Sequence, residues 1–265
     1  TAAPSECDIE YTGCEDANEA GTLPAKHTVG TATTIPDLTR TGYTFDGWKV
    51  NDDTTLQKRL VLGANDYSET IRLKAYWTAD KYTIAYTGND GAAVEGNATL
   101  PTNHTYGTET DVPNLTKTGY TFEGWKVNGT GNPQRDLVLS ATGYTANITL
   151  EAVWSANEYN ITYTNVNDTT GLPTKHVYGT ATTVPNLTKT GYTFAGWKVN
   201  GTVNPQKDLV LSATGYTANI TLEAVWTTDK YTITYTNIND TTGLPTEHVY
   251  GTATTIPNLT KVGYT

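Results

Sequence analysis

The chain has 265 residues, a formal net charge of −10 at pH 7 and a hydrophobic content of 37%. Nucleic acids and anionic membranes carry negative charge, so an acidic chain without basic patches is a poor partner for either. No apolar run approaches the ~18 residues of a membrane-spanning helix, so we expect no membrane insertion by this segment. The first residues, TAAPSECD, lack a signal-peptide pattern and the sequence has no methionine, which indicates an internal piece of a longer, processed protein.

A strand opens each of several similar units. The opening stretches are CDIEYT from Cys7, KYTIAYT from Lys81, EYNITYT from Glu158 and KYTITYT from Lys230. Apolar and polar residues alternate in them with a period of two, which is typical of a half-buried strand.

A loop of variable length follows each opening strand, reading GCEDANEAG, GNDGAAVEG, NVNDTTG and NINDTTG in turn. Variable loops on a constant scaffold are typical of binding sites, but neutral drift produces the same pattern, and both readings stay open. The stretch NVNDTTG has oxygen donors at alternating positions, as calcium loops do, yet it lacks the terminal bidentate Glu. We predict no cofactor, with calcium as the alternative to ordinary turn chemistry. The candidate binding residues in these loops are Glu15, Asp16, Asn18, Asn89, Asp90, Asn167, Asp168, Asn239 and Asp240.

One histidine follows each loop in a PxxHxxGT context, at positions 27, 104, 176 and 248. No nucleophile or orienting acid accompanies it, and single histidines spread along a chain do not converge on one substrate. We therefore predict a structural or surface role for the histidines and no catalytic site or metal site.

One phrase recurs after the histidine, as GYTFDGWKV at 42–50, GYTFEGWKV at 119–127 and GYTFAGWKV at 191–199. Its leading glycines, with Gly263 of a truncated fourth copy, are 77, 72 and 72 residues apart. Asn-Gly pairs at 128–129 and 200–201 predict hairpins. A closing strand ends each complete unit, at 71–77, 148–154 and 220–226. The recurrence predicts repeats at 1–77, 78–154 and 155–226, and the first half of a fourth at 227–265.

Each complete repeat has two tryptophans at fixed positions. They are either platforms for stacking sugars or core side chains, and we favour the core because small domains need large aromatic residues for stability. We expect the phrase to be one structural element with its aromatic residues turned inward and its second glycine close to a neighbouring backbone. The predicted structural core motif is Gly42, Tyr43, Phe45, Gly47, Trp48, Trp77, Gly119, Tyr120, Phe122, Gly124, Trp125, Trp154, Gly191, Tyr192, Phe194, Gly196, Trp197 and Trp226.

Only four residues separate each closing tryptophan from the next opening tyrosine. They reach at most ~14 Å, so neighbouring repeats must touch or nearly touch, which favours an elongated, semi-rigid array. The half repeat must bury its apolar face, either on the preceding repeat or on a neighbouring molecule, and the second choice implies self-association.

Cys7 and Cys14 are the two cysteines of the chain. An extended strand from residue 7 to residue 12 spans ~17 Å, which opposes a bond between them. A close pair in an otherwise cysteine-free chain, however, suggests oxidation outside the cell. We predict a disulfide with a bent first strand, while the two observations remain in conflict.

GYTFxGW, followed by a closing TLxAxW and preceded by an opening YTIxY strand, resembles the Listeria–Bacteroides repeat, also called the internalin B-repeat. The resemblance implies a small β-grasp-like module with a mixed sheet and little helix. It also implies tandem arrays in secreted or wall-attached bacterial proteins, often adhesins, where the modules act as stalks or contact host surfaces. The family has no catalytic residues to transfer.

We therefore expect mainly β structure, as tandem small β-grasp-like modules in an elongated rod, and a non-enzymatic stalk or adhesion role at a bacterial cell surface or in the extracellular medium. Host-cell or matrix glycans and proteins are the expected partners. One alternative is a module that binds a glycan or host protein through the variable loops. A more distant alternative is ice or mineral binding through threonine rows such as Thr232, Thr234 and Thr236.

Overall fold

The computed structural model describes residues 5–261, and strands make up nearly all of its regular structure. Within that range the helical content is two single turns of 3-10 helix, Ala20–Thr22 and Glu95–Asn97. The prediction of a mainly β chain with mixed sheets and little helix is confirmed. Gly263 and the truncated fourth phrase lie outside the described residues. No helix among residues 5–261 has the length and apolar character needed to cross a membrane.

The chain divides into two compact units, which are described separately. Unit 1 holds the residues up to Lys117 together with Phe122–Trp154. Unit 2 holds Thr118–Thr121 together with the residues from Ser155 onward. Unit 1 thus contains most of repeats 1 and 2, and unit 2 contains repeat 3 and the half repeat.

Repeat 1 is a four-stranded mixed sheet with a small two-stranded sheet. Its strands are β1 (Glu6–Thr12), β2 (Lys26–Thr28), β3 (Thr33–Thr34), β4 (Tyr43–Val50), β5 (Val61–Leu62) and β6 (Ile71–Ala79). The order β2-β1-β6-β4 places the opening and closing strands side by side and parallel, with antiparallel strands at both edges. β3 and β5 pair separately.

Repeat 2 has the same plan with a longer hairpin and one extra strand pair. Its strands are β7 (Lys81–Thr87), β8 (Ala93–Val94), β9 (Asn103–Thr105), β10 (Thr110–Val112), β11 (Leu115–Thr116), β12 (Tyr120–Val127), β13 (Thr130–Gln134), β14 (Leu137–Leu139) and β15 (Ile148–Ala156). The main sheet has the order β13-β12-β15-β7-β9. Asn128 and Gly129 both have positive φ and connect β12 to β13 in the predicted hairpin.

Repeat 3 returns to the plan of repeat 1. Its strands are β16 (Glu158–Thr164), β17 (Lys175–Val177), β18 (Thr182–Thr183), β19 (Tyr192–Val199), β20 (Val210–Leu211) and β21 (Ile220–Thr228). The main sheet has the order β17-β16-β21-β19, and β18 pairs with β20.

The half repeat is less regular than its sequence predicts. It contains β22 (Lys230–Thr232) paired with β23 (Glu247–Val249), although the alternating pattern continues to Thr236. In repeat 3 the second half of the opening strand pairs in parallel with the closing strand, from Ile161↔Ile220 to Thr164↔Glu223. No strand of the described residues takes this role for residues 233–236, so the predicted strand is correct only in its first part.

The core of each repeat is centred on the tryptophan of the phrase. Trp48 is fully buried, and its indole N–H donates to the Pro36 carbonyl at 2.9 Å. The rings of Tyr11 and Phe45 pack edge-on against it, with centroids at 5.5 and 5.6 Å. Buried aliphatic residues of the closing strand complete the core, as Ile71 and Leu73 do in repeat 1. Trp125 and Trp197 occupy the same place with the same hydrogen bond.

The predicted disulfide is not formed. Cys7 and Cys14 are free and buried. β1 is a regular strand in which Cys7 pairs with His27, so the expected bend is wrong as well. The extended strand carries Cys7 away from the loop, while Cys14 turns into the core beside Ala17. Burial raises the pKa of the Cys14 thiol, which keeps it protonated and slow to react.

Candidate functional site

The histidines are shielded from any substrate in the three complete repeats. His27, His104 and His176 are fully buried, and in each case Nδ1 lies 2.8–2.9 Å from a threonine hydroxyl. Their Nε2 atoms have no hydrogen-bond partner, and each ring packs edge-on against a tyrosine of the same repeat. Burial lowers the pKa of His104 and His176. All three are core side chains, and the lowered pKa favours the neutral form of His104 and His176.

The acidic loop of repeat 3 is an Asx turn. Asp168 Oδ1 accepts hydrogen bonds from the amide and hydroxyl of Thr170, at 2.9 and 2.8 Å. These bonds lower the pKa of Asp168. Asp240 accepts from the Thr242 amide in the same way, and Asn167 and Asn239 are exposed nearby. Among residues 5–261 no group of three or more His, Cys, Asp or Glu side chains is arranged to hold a metal ion.

The first residues of the phrase make a joint with the following repeat. In unit 1, the Gly42 carbonyl accepts from the Asp80 amide and the Asp80 carbonyl accepts from the Tyr106 amide, both at 2.9 Å. The Thr44 hydroxyl donates to the Asp80 carboxylate at 2.7 Å. The rings of Tyr43 and Tyr106 meet edge-on at 5.4 Å. β6 ends at Ala79 and β7 begins at Lys81, so Asp80 alone separates the two strands.

Gly42 is required by this joint. Its φ is +75°, and a Cβ at this position would lie 2.2 Å from the Tyr106 ring. The leading residues Gly42 and Tyr43 therefore pack against the next repeat, while Phe45 and Trp48 point into their own core. The expectation that all the aromatic residues of the phrase turn inward is wrong for its tyrosine.

The same joint recurs twice in unit 2. Asn157 links Gly119 to Tyr178, and Asp229 links Gly191 to Tyr250, through main-chain hydrogen bonds of 2.9–3.0 Å. Thr121 and Thr193 donate to these linker side chains at 2.7 Å. The tyrosine pairs are Tyr120 with Tyr178 and Tyr192 with Tyr250, at centroid distances of 5.4 and 5.7 Å. The half repeat is thus attached in cis to repeat 3.

Sequence reasoning missed Tyr106, Tyr178 and Tyr250. The available signal was their constant position two residues after the histidine, where repeat 1 has Val29. Val29 makes the equivalent main-chain bond, from its amide to the Ser5 carbonyl at 3.0 Å, without an aromatic partner.

The second tryptophan of each repeat is only partly buried. Trp77, Trp154 and Trp226 pack against the phenylalanine of the phrase at 5.0–5.1 Å. Each donates its indole N–H to a carbonyl at the start of the variable loop, on Gly13, Gly88 and Asn165 respectively. These tryptophans fasten the loop to the sheet.

Each loop lies beside a four-residue segment that precedes the phrase, which we call the edge segment. The edge segments are residues 37–40 (DLTR), 114–117 (NLTK) and 186–189 (NLTK). In repeat 1 the loop covers this segment. The Asn18 amide donates to the Thr39 carbonyl at 3.0 Å, and the Glu19 carboxylate accepts from the Thr39 amide at 2.8 Å. Asp16 forms an ion pair with Arg40 at 2.9 Å, and Glu15 accepts from the Gly13 amide within the loop.

In repeat 2 the loop covers the edge segment as a strand. β8 pairs antiparallel with β11, with Val94 opposite Leu115 and Ala93 opposite Thr116. The Glu95 amide also donates to the Asn114 carbonyl at 2.9 Å. Of the two predicted binding residues, Asn89 shapes the loop by accepting from the Ala92 amide, and Asp90 is exposed.

In repeat 3 the shorter loop leaves the edge segment open. Leu187 is partly exposed, whereas Leu38 and Leu115 are 3% exposed. Asn186 is exposed, whereas Asn114 is 8% exposed. A cleft of about 240 Å³ lies here, lined by residues 167, 168, 170, 186–189 and 226. A second cleft, of about 440 Å³, adjoins residues 187–190, 192 and 194.

Comparisons with known proteins agree with this repeated architecture. The profile of the Listeria-Bacteroides repeat domain matches residues 15–62, 82–153 and 159–225. A protein of Evansella cellulosilytica with the provisional name of Gly-rich membrane protein is 29% identical over 262 residues, which cover 91% of this chain and 29% of that protein. Another from the same organism, provisionally named a membrane protein, is 29% identical over 163 residues, or 59% of this chain and 23% of that protein.

The chain therefore spans less than a third of the length of these relatives. No solved structure matches it at a significant level. The exact repeat boundaries stay a prediction. Three tandem matches cover most of the sequence, one in each of the three complete repeats, and the chain belongs to the Listeria-Bacteroides repeat domain family.

Proposed function

We propose that this chain is a non-enzymatic spacer of a bacterial surface protein, in which β-grasp-like repeats form an elongated rod that projects an adhesive region. The observation that carries the proposal is the joint. The same three hydrogen bonds and the same tyrosine pair recur in unit 1 and, twice, in unit 2.

A spacer needs connections that resist bending. A one-residue linker held by main-chain hydrogen bonds on both sides has little freedom, and an aromatic pair adds ~0.5–1.5 kcal/mol beyond its buried area. Repeats coupled only to their neighbours build length in one dimension. The acidic surface opposes self-association by charge repulsion.

The surface location is supported by family membership and by the provisional names of the two relatives, each of which is called a membrane protein. The absence of catalysis is supported by the burial of three of the four histidines. We propose that adhesion to host-cell or matrix glycans and proteins occurs through the parent protein, extracellularly, with this segment setting the distance from the cell.

Small-angle X-ray scattering of the full chain tests the rod. For a rod we expect a pair-distance distribution with a long tail. We also expect a linear region at intermediate angles in the cross-sectional Guinier plot. The matched variant carries Tyr106→Val, Tyr178→Val and Tyr250→Val, which reproduces at each joint the valine that repeat 1 already has at position 29. It should retain its sheet content and lose the linear region.

Tyr216→Val is the control, because Tyr216 contacts His176 inside repeat 3 and takes no part in a joint. Its scattering should match that of the unmodified chain. A compact, near-spherical distribution for the unmodified chain would refute the spacer.

Self-association through the half repeat stays a prediction. Tyr231, Ile256 and Leu259 expose 47–57% of their surface there. Sedimentation velocity over a concentration series, for this chain and for a chain ending at Thr228, would detect it. If the sedimentation coefficients of the two chains depend on concentration in the same way, the half repeat does not mediate self-association.

A further inference from the structure

The edge segment of repeat 3 has unused main-chain hydrogen-bonding groups. Thr188 lies in this segment, and its counterparts in repeats 1 and 2 are Thr39 and Thr116. In repeat 1 the loop forms hydrogen bonds with both the amide and the carbonyl of Thr39. In repeat 2 the Glu95–Asn114 bond makes residues 95 and 114 a hydrogen-bonded pair, so Ala93 and Thr116 form the next one. No hydrogen-bond partner of the Thr188 main chain occurs among residues 5–261.

The side chains around Thr188 are also left without the contacts seen in the other repeats. Leu187 lacks the cover that Val94 gives to Leu115. Lys189 corresponds to Arg40, which pairs with Asp16 in repeat 1. The Lys189 ammonium lies over the rings of Tyr192 and Trp226, at 4.3 and 5.7 Å, and no carboxylate of the described residues forms an ion pair with it.

We propose that the edge segment of repeat 3 binds an extended peptide strand of a partner protein. The strand adds antiparallel to Leu187–Thr188 and takes the place that the chain's own loop fills in repeats 1 and 2. The geometry of those loops defines the partner: a small apolar residue such as valine lies opposite Leu187, and a carboxylate reaches Lys189. In repeat 2, β8 and β11 form a two-stranded sheet of their own, and the added peptide would form the same antiparallel pair with Leu187–Thr188. Main-chain pairing with an extended peptide is a general mode of recognition.

A peptide fits these observations better than a sugar. In repeat 2 the internal occupant is a main-chain strand, and in repeat 1 the loop bonds the Thr39 carbonyl through the Asn18 amide and the Thr39 amide through the Glu19 carboxylate. Residues 187–189 line both clefts, of about 240 and 440 Å³, which leaves space beside this segment for the side chains of an added strand. The inference is independent of the spacer role, because a rod can lack this site and a flexible chain can contain it.

The test uses the full chain and a synthetic peptide, DGAAVEGNA, which is residues 90–98 of its own repeat 2. Titration is followed by amide chemical shifts in transverse-relaxation-optimised NMR spectra. We expect shifts of the Leu187 and Thr188 amides with a Kd of ~0.1–1 mM, since a short strand makes only a few hydrogen bonds. A peptide N-methylated at its glutamate lacks the donor that bonds Asn114 in repeat 2, and should bind ~10-fold more weakly.

The matched protein variant replaces residues 165–171 with residues 88–99, which gives repeat 3 the covering loop of repeat 2. It should show no shift at Thr188 on addition of peptide, provided that its near-UV circular dichroism retains the tryptophan signals. If this variant does not fold, the comparison of the two peptides on the unmodified chain decides.

Three results would overturn the proposal. The first is the absence of a shift at Leu187 and Thr188 with ~2 mM peptide, a concentration at which such a short strand should bind. The second is equal binding of the N-methylated and unmodified peptides. The third is undiminished binding by the folded loop variant. Shifts at these amides with oligosaccharides but not with the peptide would assign the cleft to sugars instead. Binding at Thr188 that is lost in both comparisons would establish the site.

Discussion

Glycine serves two different purposes within the repeated phrase. The first glycine, Gly42 in repeat 1, makes room for the tyrosine ring of the next repeat. The second, Gly47, has a φ of +137° and lies at a β-bulge in β4. The bulge falls between the cross-strand pair Phe45–Trp77 and the cross-strand pair Trp48–Ala75. A Cβ there would lie 2.9 Å from the Gln57 carbonyl oxygen. One glycine therefore concerns the joint and the other the fold of its own repeat.

Gly196→Ala tests the bulge in repeat 3, where φ is +134° and a Cβ would meet the Gln206 backbone at 2.6 Å. We expect repeat 3 to lose ~2–4 kcal/mol, from positive φ and overpacking together. Gly201→Ala is the control, because φ is +77° but nothing lies within 4 Å, and it should cost ~1 kcal/mol. Urea unfolding measures both, and equal costs would show that the close approach contributes nothing.

His104 and His176 should make repeats 2 and 3 sensitive to mild acid. Burial lowers the pKa of His104 and His176 in the folded state, while the unfolded chain takes up the proton near the ordinary value of 6.5. The unfolded state then binds more protons below pH 6.5, so stability is full above that pH and falls as the pH is lowered. The slope is at most ~1.4 kcal/mol per pH unit for each histidine.

Urea midpoints at pH 7.5 and pH 5.0 measure this effect. Carboxylates with a lowered pKa, such as Asp168, do not interfere, because the protein loses their contribution to stability only near pH 4 and below. In a chain with His104→Asn and His176→Asn, the difference between the two midpoints should shrink. Asparagine keeps a polar atom near the position of Nδ1 and does not titrate. An unchanged difference would assign the acid sensitivity to other groups.

At the scale of elements, the variable loop determines whether the neighbouring edge segment is covered. Residues added in repeats 1 and 2 form hydrogen bonds to that segment, so their length has a structural use within the repeat. The seven-residue loops instead close on themselves through an Asx turn at Asp168 or Asp240. Drift in loop length therefore changes what the edge offers to other molecules.

Amide hydrogen exchange should distinguish the covered and open edges in the unmodified chain. The Thr39 amide donates to Glu19, and the Thr116 amide lies in the β8–β11 pair, so both should be protected. The Thr188 amide should exchange at least ~10-fold faster, at a rate close to that of an open loop. Comparable protection of all three threonine amides would show that the edge of repeat 3 is already occupied.

Sequence patterns predicted the strands and turns well, but they predicted less well which surfaces pack against each other. Alternation identified the opening strands β7 and β16, and the Asn-Gly pair identified the hairpin at Asn128, because these features depend on local chemistry. Alternation does not tell which surface covers a side chain, so Tyr43 was assigned to its own core when it packs on Tyr106. The state of Thr188 depends on residues that repeat 3 lacks, and it becomes visible only by comparison with repeats 1 and 2.

At the scale of the whole molecule, stability should depend on coupling between neighbours. Each tyrosine pair is expected to contribute ~0.5–1.5 kcal/mol to a joint, in addition to the main-chain bonds. With nearest-neighbour coupling, an array unfolds more cooperatively than its separate units.

The Tyr106→Val, Tyr178→Val and Tyr250→Val chain should therefore unfold over a broader range of urea concentration than the unmodified chain. Tyr216→Val should lower the midpoint of repeat 3 and leave the coupling unchanged. Tryptophan fluorescence follows the transition, since every complete repeat contains two tryptophans. Transitions of equal breadth in all three chains would show that the tyrosine pairs do not couple the repeats.

The joint has a consequence for how such arrays change in evolution. Repeats 2 and 3 each supply a glycine and a tyrosine at one end and receive those of the preceding repeat with a tyrosine at the other, whereas repeat 1 has Val29 at the receiving position. The linker residue is Asp or Asn at all three described joints. A recombination event that duplicates or removes one whole unit therefore recreates a junction of the same kind. The number of units can grow or shrink without a compensating substitution. If the chain is the spacer proposed above, one genetic step would change the length of that spacer while every individual fold is preserved.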